Sequence, residues 1–142
     1  MSALETADLI GVEILSAGGP VHGVGSPPEG DYWRPEDLRG MAEAATELAD
    51  ELHPPAKIGH KGGDPAVGWL ENIRVNESGD RLLTDIKRVP KGLKGLIDAG
   101  AYRTRSVELK QVTSQKTGRK YDWVVSGLAW LGGKMPAVPP QS

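Results

Sequence analysis

The chain has 142 residues, 38% of them hydrophobic and 25% charged, which predicts one folded domain with a real core and excludes wholesale disorder. Its formal net charge of −2 gives no general attraction to nucleic acid, and we expect no nucleic-acid partner. The absence of Cys excludes disulfides, thiolate metal sites and a Cys nucleophile. No stretch approaches the roughly 18 apolar residues of a membrane span, so we expect no membrane partner and a cytoplasmic location.

The first half of the chain predicts one strand and one long helix. Residues 9–15 are rich in β-branched and apolar residues and are predicted as a strand, which the Gly18-Gly19-Pro20 turn closes. Residues 21–30 are dense in Gly and Pro and are predicted as a loop. Residues 35–52 are predicted as a helix, because Pro35 suits the first helical position and apolar residues from Leu38 onward recur every three or four positions. Residues 56–60 are then predicted to be extended, and residues 61–65 to form a turn.

The second half predicts a hairpin, a short helix and two further strands. Residues 67–76 and 81–89 are predicted to pair across a turn at residues 77–80. In the second of these strands, Leu82, Thr84, Ile86 and Arg88 alternate with the residues between them. Residues 90–99 are predicted as a helix with Gly100 as a left-handed cap. Residues 102–112 and 121–131 are predicted as the last strands, joined by a polar turn.

These elements predict an α+β fold that is mainly β. About six or seven strands are mostly joined as hairpins, and they do not alternate regularly with helices, which argues against a doubly wound parallel sheet. We therefore expect a small, mostly antiparallel β-barrel with one long and one short helix packed outside. The domain is expected to cover residues 1–135, and residues 136–142 are expected to form an extended tail.

The strand around Ser106 carries the residues that suggest chemistry. Ser106 and Glu108 are two residues apart, so their side chains are expected on one face of the strand. A Ser hydroxyl becomes an effective nucleophile when a base takes its proton, and His is well suited to this near neutral pH. His60, between Gly59 and Lys61-Gly62-Gly63, is the candidate base, and Glu108 could fix its tautomer. A charged outer strand and a hydrogen-bonded surface His remain the plain alternatives.

The other two His residues and a metal site are weaker candidates. His53 ends a helix, where a cation is mildly favourable, and His22 lies in the Gly-rich loop. His60, Asp64 and His53 could in principle supply metal ligands, but they lack the close spacing typical of a metal site. We therefore predict no metal and no other cofactor.

Six segments follow one another along most of the chain: Ile58-Gly-His60, residues 64–74 (DPAVGWLENIR), residues 80–86 (DRLLTDI), the helix at Pro90, residues 102–108 (YRTRSVE) and residues 127–138 (GLAWLGGKMPAV). In this order they resemble the prohead maturation proteases of tailed bacteriophages, and most closely the branch related to the phage Mu-like protease and scaffold proteins. That family is related in fold to the herpesvirus capsid assembly proteases, which are mostly antiparallel β-barrels surrounded by helices.

The resemblance implies a serine endopeptidase that trims scaffold and capsid proteins inside the immature head and often cleaves itself. Matched by motif, His60 corresponds to the catalytic His of the family and Ser106 to its nucleophile. The implied partners are the phage scaffold and major capsid proteins as substrates, with a homodimer or higher oligomer left open. The implied location is the host cytoplasm, inside the immature phage head.

The third catalytic residue does not transfer from the resemblance. Relatives often place an acid or a second His on the strand before the closing Pro-Ala, and residues 125–130 hold neither. Glu108 is the preferred substitute, followed by Asp122 and Asp64, and a dyad assisted by solvent is the remaining alternative. By analogy with the family, backbone amides of residues 132–134 are the expected oxyanion donors. An inactive scaffold-associated or capsid-binding domain of the same fold is the alternative function.

Overall fold

A computed structural model describes residues 5–21, 31–59, 65–102 and 104–132 of the chain. Within these ranges, eight strands and two helices follow one another, with strands dominant. They are β1 (Thr6–Ser16), β2 (Gly18–Val21), β3 (Asp31–Trp33), α1 (Pro35–Glu47), β4 (Ala56–Ile58), β5 (Trp69–Val75), β6 (Arg81–Pro90), α2 (Lys91–Asp98), β7 (Thr104–Thr113) and β8 (Lys120–Leu131).

The strands form two three-stranded sheets and one two-stranded pair. The first sheet has the order β1-β6-β5 and is antiparallel throughout. The second has the order β4-β8-β7, in which β7 runs antiparallel and β4 parallel to β8. The fold is thus mixed and mainly β with two helices, as predicted. Strand pairing is mostly antiparallel, also as predicted.

Helix α1 begins at the predicted residue but ends five residues early. The Asp37 carboxylate accepts the Arg34 backbone N–H at 2.8 Å, which satisfies a donor at the helix start. At the other end, the chain turns after Glu47, and the Leu48 carbonyl accepts the N–H groups of both Glu51 and Leu52. The predicted continuation to residue 52 is therefore wrong. The pattern of apolar residues continues past Glu47 because Leu48 remains buried in the turn.

The predicted apolar stripe of α1 packs against β5 and β8. Leu38, Met41 and Leu48 are buried, as the spacing predicts, and Ala44 is buried too, whereas Ala49, which the same spacing places on this stripe, is exposed. Leu38 and Met41 pack in the main core with residues of both sheets, whereas Ala44 and Leu48 pack in a smaller cluster with Tyr121 and Val124. The largest fully buried strand residues of the main core are Leu82, Ile86, Val89, Val125, Leu128 and Trp130. The core therefore fixes the second sheet, which carries Ser106, against α1.

Strand β6 keeps the predicted alternation only as far as Ile86. Leu82, Thr84 and Ile86 are buried, but Arg88 is exposed and Val89 is fully buried. Arg88 has a φ of +60°, which breaks the pleat and shifts the following residue to the inner face. The expectation that Arg88 shares the face of Ile86 is therefore wrong.

The turn predicted at Gly18-Gly19-Pro20 is instead strand β2. It pairs antiparallel with β3, with Gly18 opposite Trp33 and Val21 opposite Asp31. Pro is compatible with such a short edge ladder, where its missing N–H need not meet a neighbouring strand. The predicted loop begins with Val21, which lies in β2, and its remaining residues, 22–30, lie outside the described ranges.

The hairpin and the short helix agree with prediction. Strands β5 and β6 pair around a turn in which the Gly79 N–H bonds the Asn76 carbonyl at 3.0 Å. Helix α2 follows Pro90, and Gly100 closes it with a φ of +87°. Neither described helix is long and apolar enough to cross a membrane.

Candidate functional site

The second sheet places Ser106 near the C-terminal end of its central strand, β8. Ser106 of β7 pairs with Ala129 of β8, and Glu108 pairs with Gly127. Because side chains alternate along a strand, all four residues lie on one face of the sheet, which confirms the predicted shared face of Ser106 and Glu108. Lys57 of β4 pairs with Ala129 from the opposite side. We call these five residues the Ser106 face.

An ion pair crosses this face. Lys57 Nζ lies 2.9 Å from Glu108 Oε1, although the two residues belong to the two outer strands of the sheet. The two side chains can meet above β8 because the residues of β8 on this face, Gly127 and Ala129, are small. A Cβ on Gly127 would lie 2.5 Å from Glu108 Oε1 and 3.3 Å from the Pro55 carbonyl oxygen. The pair therefore occupies the space that a side chain at position 127 would need.

The pair is largely removed from water. The side chains of Lys57 and Glu108 are 16% and 21% exposed, and Ala129 beneath them is fully buried. Charges at this depth are screened less than surface charges, so their attraction holds the carboxylate in one place. Ser106 itself is partly exposed. The geometry thus combines a partly exposed Ser with an ion-paired acid two residues along the strand.

Several predicted site residues fall outside the described part of the chain. His60, the candidate base, and Asp64 lie in residues 60–64, and Gly133 and Lys134 follow the last described residue; His22 also lies outside. Gly59, the residue before His60, donates its N–H to the Trp130 carbonyl at 3.0 Å. The chain thus leaves β4 beside the central strand of the sheet that carries Ser106.

Asp122 and His53 lie away from the Ser106 face. Asp122 is near the opposite end of β8 from Ala129, about 23 Å away at a rise of about 3.3 Å per residue. Its carboxylate accepts a hydrogen bond from Gln111 Nε2 at 3.3 Å. His53 is exposed after the end of α1. Among the described residues, no cluster of three or more His, Asp or Glu side chains could hold a metal ion.

A cavity of about 820 Å³ lies between α1, β5 and β8. Leu48, Leu52, Val124 and Val125 supply much of its apolar wall, and His53 lies at its edge. None of the five residues of the Ser106 face lines it. The cavity is therefore a separate feature from the candidate nucleophile.

Lys57 is the residue of the Ser106 face that the sequence did not single out. The parallel pairing of β4 with β8 brings it opposite Ala129, and such a pairing over some seventy residues leaves no local signature. A weak signal was present in Gly127 and Ala129, two small residues at strand spacing that leave room over β8. In the structure, the Lys57 ammonium forms an ion pair with the Glu108 carboxylate.

Comparison of the chain with protein-family models, curated proteins and solved structures gave no match.

Proposed function

We propose that this protein is a serine endopeptidase of the prohead-protease type, with Ser106 as nucleophile and His60 as base. The observation that carries the proposal is the Ser106 face, where a partly exposed Ser and an ion-paired Glu share one side of a strand. Ser106 would attack the scissile carbonyl while His60 takes its proton. The same His would then protonate the leaving amine, and water would hydrolyse the acyl-enzyme.

The role of Glu108 in this proposal is to orient the base. A carboxylate beside a catalytic imidazole holds its tautomer and stabilises the imidazolium that forms in the reaction. The Lys57 pair keeps the carboxylate of Glu108 on the face of Ser106. The natural substrates proposed from the sequence resemblance are phage scaffold and capsid proteins, cleaved inside the immature head.

We also propose that the two larger sheets belong to one small β-barrel, as the resemblance implies. Support comes from the contact of β7 with β1. Arg105 Nε donates a hydrogen bond to the Glu13 carbonyl oxygen at 2.6 Å, which links an edge strand of each sheet. Barrel closure would place β7, the strand of Ser106, beside β1 at the junction of the two sheets.

The test is labelling by a fluorophosphonate, a serine-directed probe, followed by peptide mapping and by cleavage assays on a scaffold substrate. Ser106→Ala is expected to abolish labelling and cleavage with an unchanged thermal unfolding midpoint. Ser126→Ala, on strand β8 of the same sheet, is the matched control and is expected to label like the wild type. Cleavage by Ser106→Ala at the wild-type rate would refute the proposed nucleophile.

The second candidate is an inactive assembly domain that binds scaffold or capsid protein. The Lys57–Glu108 pair favours it in one respect, since a cross-strand ion pair also occurs as a purely structural contact. The two functions predict different results with the probe. An assembly domain binds scaffold protein but leaves Ser106 unlabelled, whereas the endopeptidase is labelled there.

A further inference from the structure

The reach of Lys57 across the sheet is the feature that extends the proposed function. Neighbouring strands lie about 4.8 Å apart, so the backbones of β4 and β7 are about 10 Å apart with β8 between them. The ammonium of Lys57 nevertheless lies 2.9 Å from Glu108 Oε1. The side chain therefore spans the central strand and meets the acid that follows the nucleophile.

Gly127 makes this reach possible. It pairs with Glu108, and its missing side chain leaves the place that the carboxylate oxygen occupies. Ala129, the next residue on this face, is also small and lies between Lys57 and Ser106. Larger side chains at these two positions would separate the ammonium from the acid.

Stability alone accounts poorly for such a pair. The attraction within a buried ion pair must offset the free-energy cost of removing both charges from water. An apolar pair of similar volume often stabilises a fold equally well. What the ion pair specifically supplies is a carboxylate held in one position. Here that carboxylate lies two residues from Ser106, on the same face.

From these contacts we infer that Lys57 is a positioning residue for the reaction of Ser106. This inference rests on the proposed function. Lys57 holds the Glu108 carboxylate in place on the Ser106 face, and Gly127 leaves the space in which the two side chains meet. Lys57 forms no bond to substrate and transfers no proton in this scheme. Its effect is on the rate of the chemical step rather than on binding.

The experiment measures saturation kinetics of fluorophosphonate labelling at Ser106 in the full chain. Lys57→Met is expected to lower the limiting rate by about 10-fold to 100-fold and to leave the half-saturating probe concentration within about twofold. Lys57→Arg keeps the positive charge and is expected to recover part of the rate. Gly127→Ala keeps every charge but displaces the carboxylate, so it is expected to lower the same limiting rate.

Two comparisons separate this role from a general loss of stability. Lys94→Met removes a second Lys from an ion pair, that of Lys94 with Asp98 on α2, and is expected to label like the wild type. The double variant Lys57→Met/Gly127→Ala is expected to be no slower than the slower single variant, because both changes break one contact. Thermal unfolding confirms that each variant is folded at the assay temperature.

The outcomes distinguish the two proposals. A wild-type limiting rate in Lys57→Met overturns the inference, while labelling at Ser106 still supports the proposed function. If Lys57→Met does not fold, a wild-type limiting rate in Gly127→Ala overturns the inference in the same way. Equal rates for Lys57→Arg and Lys57→Met also overturn it, because the charge then has no role. Absence of labelling at Ser106 in the wild-type protein overturns both.

Discussion

Asp85 accepts a hydrogen bond from the backbone N–H of Gly11 at 3.0 Å, which ties the middle of β6 to an irregular point in β1. On the other side, Arg74 Nη1 lies 3.0 Å from the same carboxylate, and Asn72 Nδ2 donates to it at 3.3 Å. Gly11 and Asn72 both have positive φ angles and lie at register shifts. One buried acid thus holds a bulge in each neighbouring strand.

Asp85→Asn is expected to destabilise the protein by about 3 kcal/mol, because it leaves Arg74 without its carboxylate and replaces an acceptor that serves the Gly11 N–H. Chemical denaturation measures this loss at neutral pH. Asp98→Asn is the matched control, since Asp98 pairs with Lys94 on the exposed surface of α2, and it is expected to change stability by no more than about 0.5 kcal/mol. Equal effects of the two substitutions would contradict the role of Asp85.

The same residue predicts a dependence of stability on pH. Burial disfavours the ionised carboxylate of Asp85, but hydrogen bonds from Gly11, Arg74 and Asn72 outweigh it, so its pKa lies below the ordinary 3.8. A lowered folded-state pKa contributes stability that is fully present above 3.8 and is lost as the pH falls through the folded value. The stability difference between wild type and Asp85→Asn should therefore shrink as the pH falls below 3.8. A constant difference would contradict this.

Asp85 also shows where local sequence patterns stop being informative. Alternation places it opposite to Leu82 and Ile86, on the outer face, yet it is only 7% exposed. Its partners lie on two other strands at irregular points, and no period-2 pattern encodes a bulge. The hairpin, α2 and the start of α1 were predictable because their signals are local: Pro35, the turn at Gly79, and Gly100.

The candidate site, too, was predictable only in part. The shared face of Ser106 and Glu108 follows from strand spacing and was predicted. Lys57 was not, because its contact with Glu108 depends on a parallel pairing with β8 and on the space above Gly127. The register between strands that are distant in sequence is set by packing in the core, and a short stretch of sequence does not show which distant residues pack together. The assignment of His60 as base stays a prediction, since His60 lies outside the described residues.

Gly127→Ala is expected to destabilise the fold by about 1–3 kcal/mol, as is typical of an added methyl group in a packed site. The new Cβ would lie 2.5 Å from Glu108 Oε1 and 3.3 Å from the Pro55 carbonyl oxygen, so the acid must move. Gly95→Ala is the control, because among the described residues no atom outside the local backbone of α2 lies within 4 Å of its Cβ position. It is expected to stabilise by about 0.5–1 kcal/mol through helix propensity. Chemical denaturation should show a lower free energy of unfolding for Gly127→Ala and a higher one for Gly95→Ala than for the wild type. Changes of the same sign in both variants would contradict this prediction.

Ser114→Ala is expected to loosen the turn between β7 and β8. The Ser114 hydroxyl donates to Glu51 Oε2 at 2.6 Å, and the Gln115 N–H donates to Glu51 Oε1 at 2.7 Å. The bond from Ser114 is the main reason that the pKa of Glu51 is lowered. Hydrogen exchange should be faster at the Gln115 amide in Ser114→Ala. Lys116→Ala leaves both bonds in place and should exchange at Gln115 like the wild type, and equal rates in both variants would contradict the role of this contact.

Glu47, the last residue of α1, likewise uses its carboxylate to contact residues at the start of β8. The Tyr121 hydroxyl donates to Glu47 Oε1 at 2.5 Å, and Arg119 Nη1 lies 2.8 Å from the same oxygen. The bond to Glu47, with burial and the negative charge of that carboxylate, raises the pKa of Tyr121 above its ordinary 10.0, against the opposing effect of Arg119. The neutral hydroxyl is therefore favoured in the folded state. The stability that it contributes is present below 10.0 and is lost as the pH rises through the folded value.

Glu47→Gln is accordingly expected to lower the pKa of Tyr121 toward 10.0, because the substitution removes the negative charge that disfavours phenolate. Ultraviolet absorbance titration measures this. The protein has three Tyr residues, so subtracting the curve of Tyr121→Phe isolates the one of interest, in the wild-type and the Glu47→Gln background alike. Glu43→Gln, one helical turn earlier on α1, is the control for removing an acid from this helix and should leave the Tyr121 midpoint unchanged. An equal midpoint in wild type and Glu47→Gln would show that this carboxylate does not set the ionisation of Tyr121.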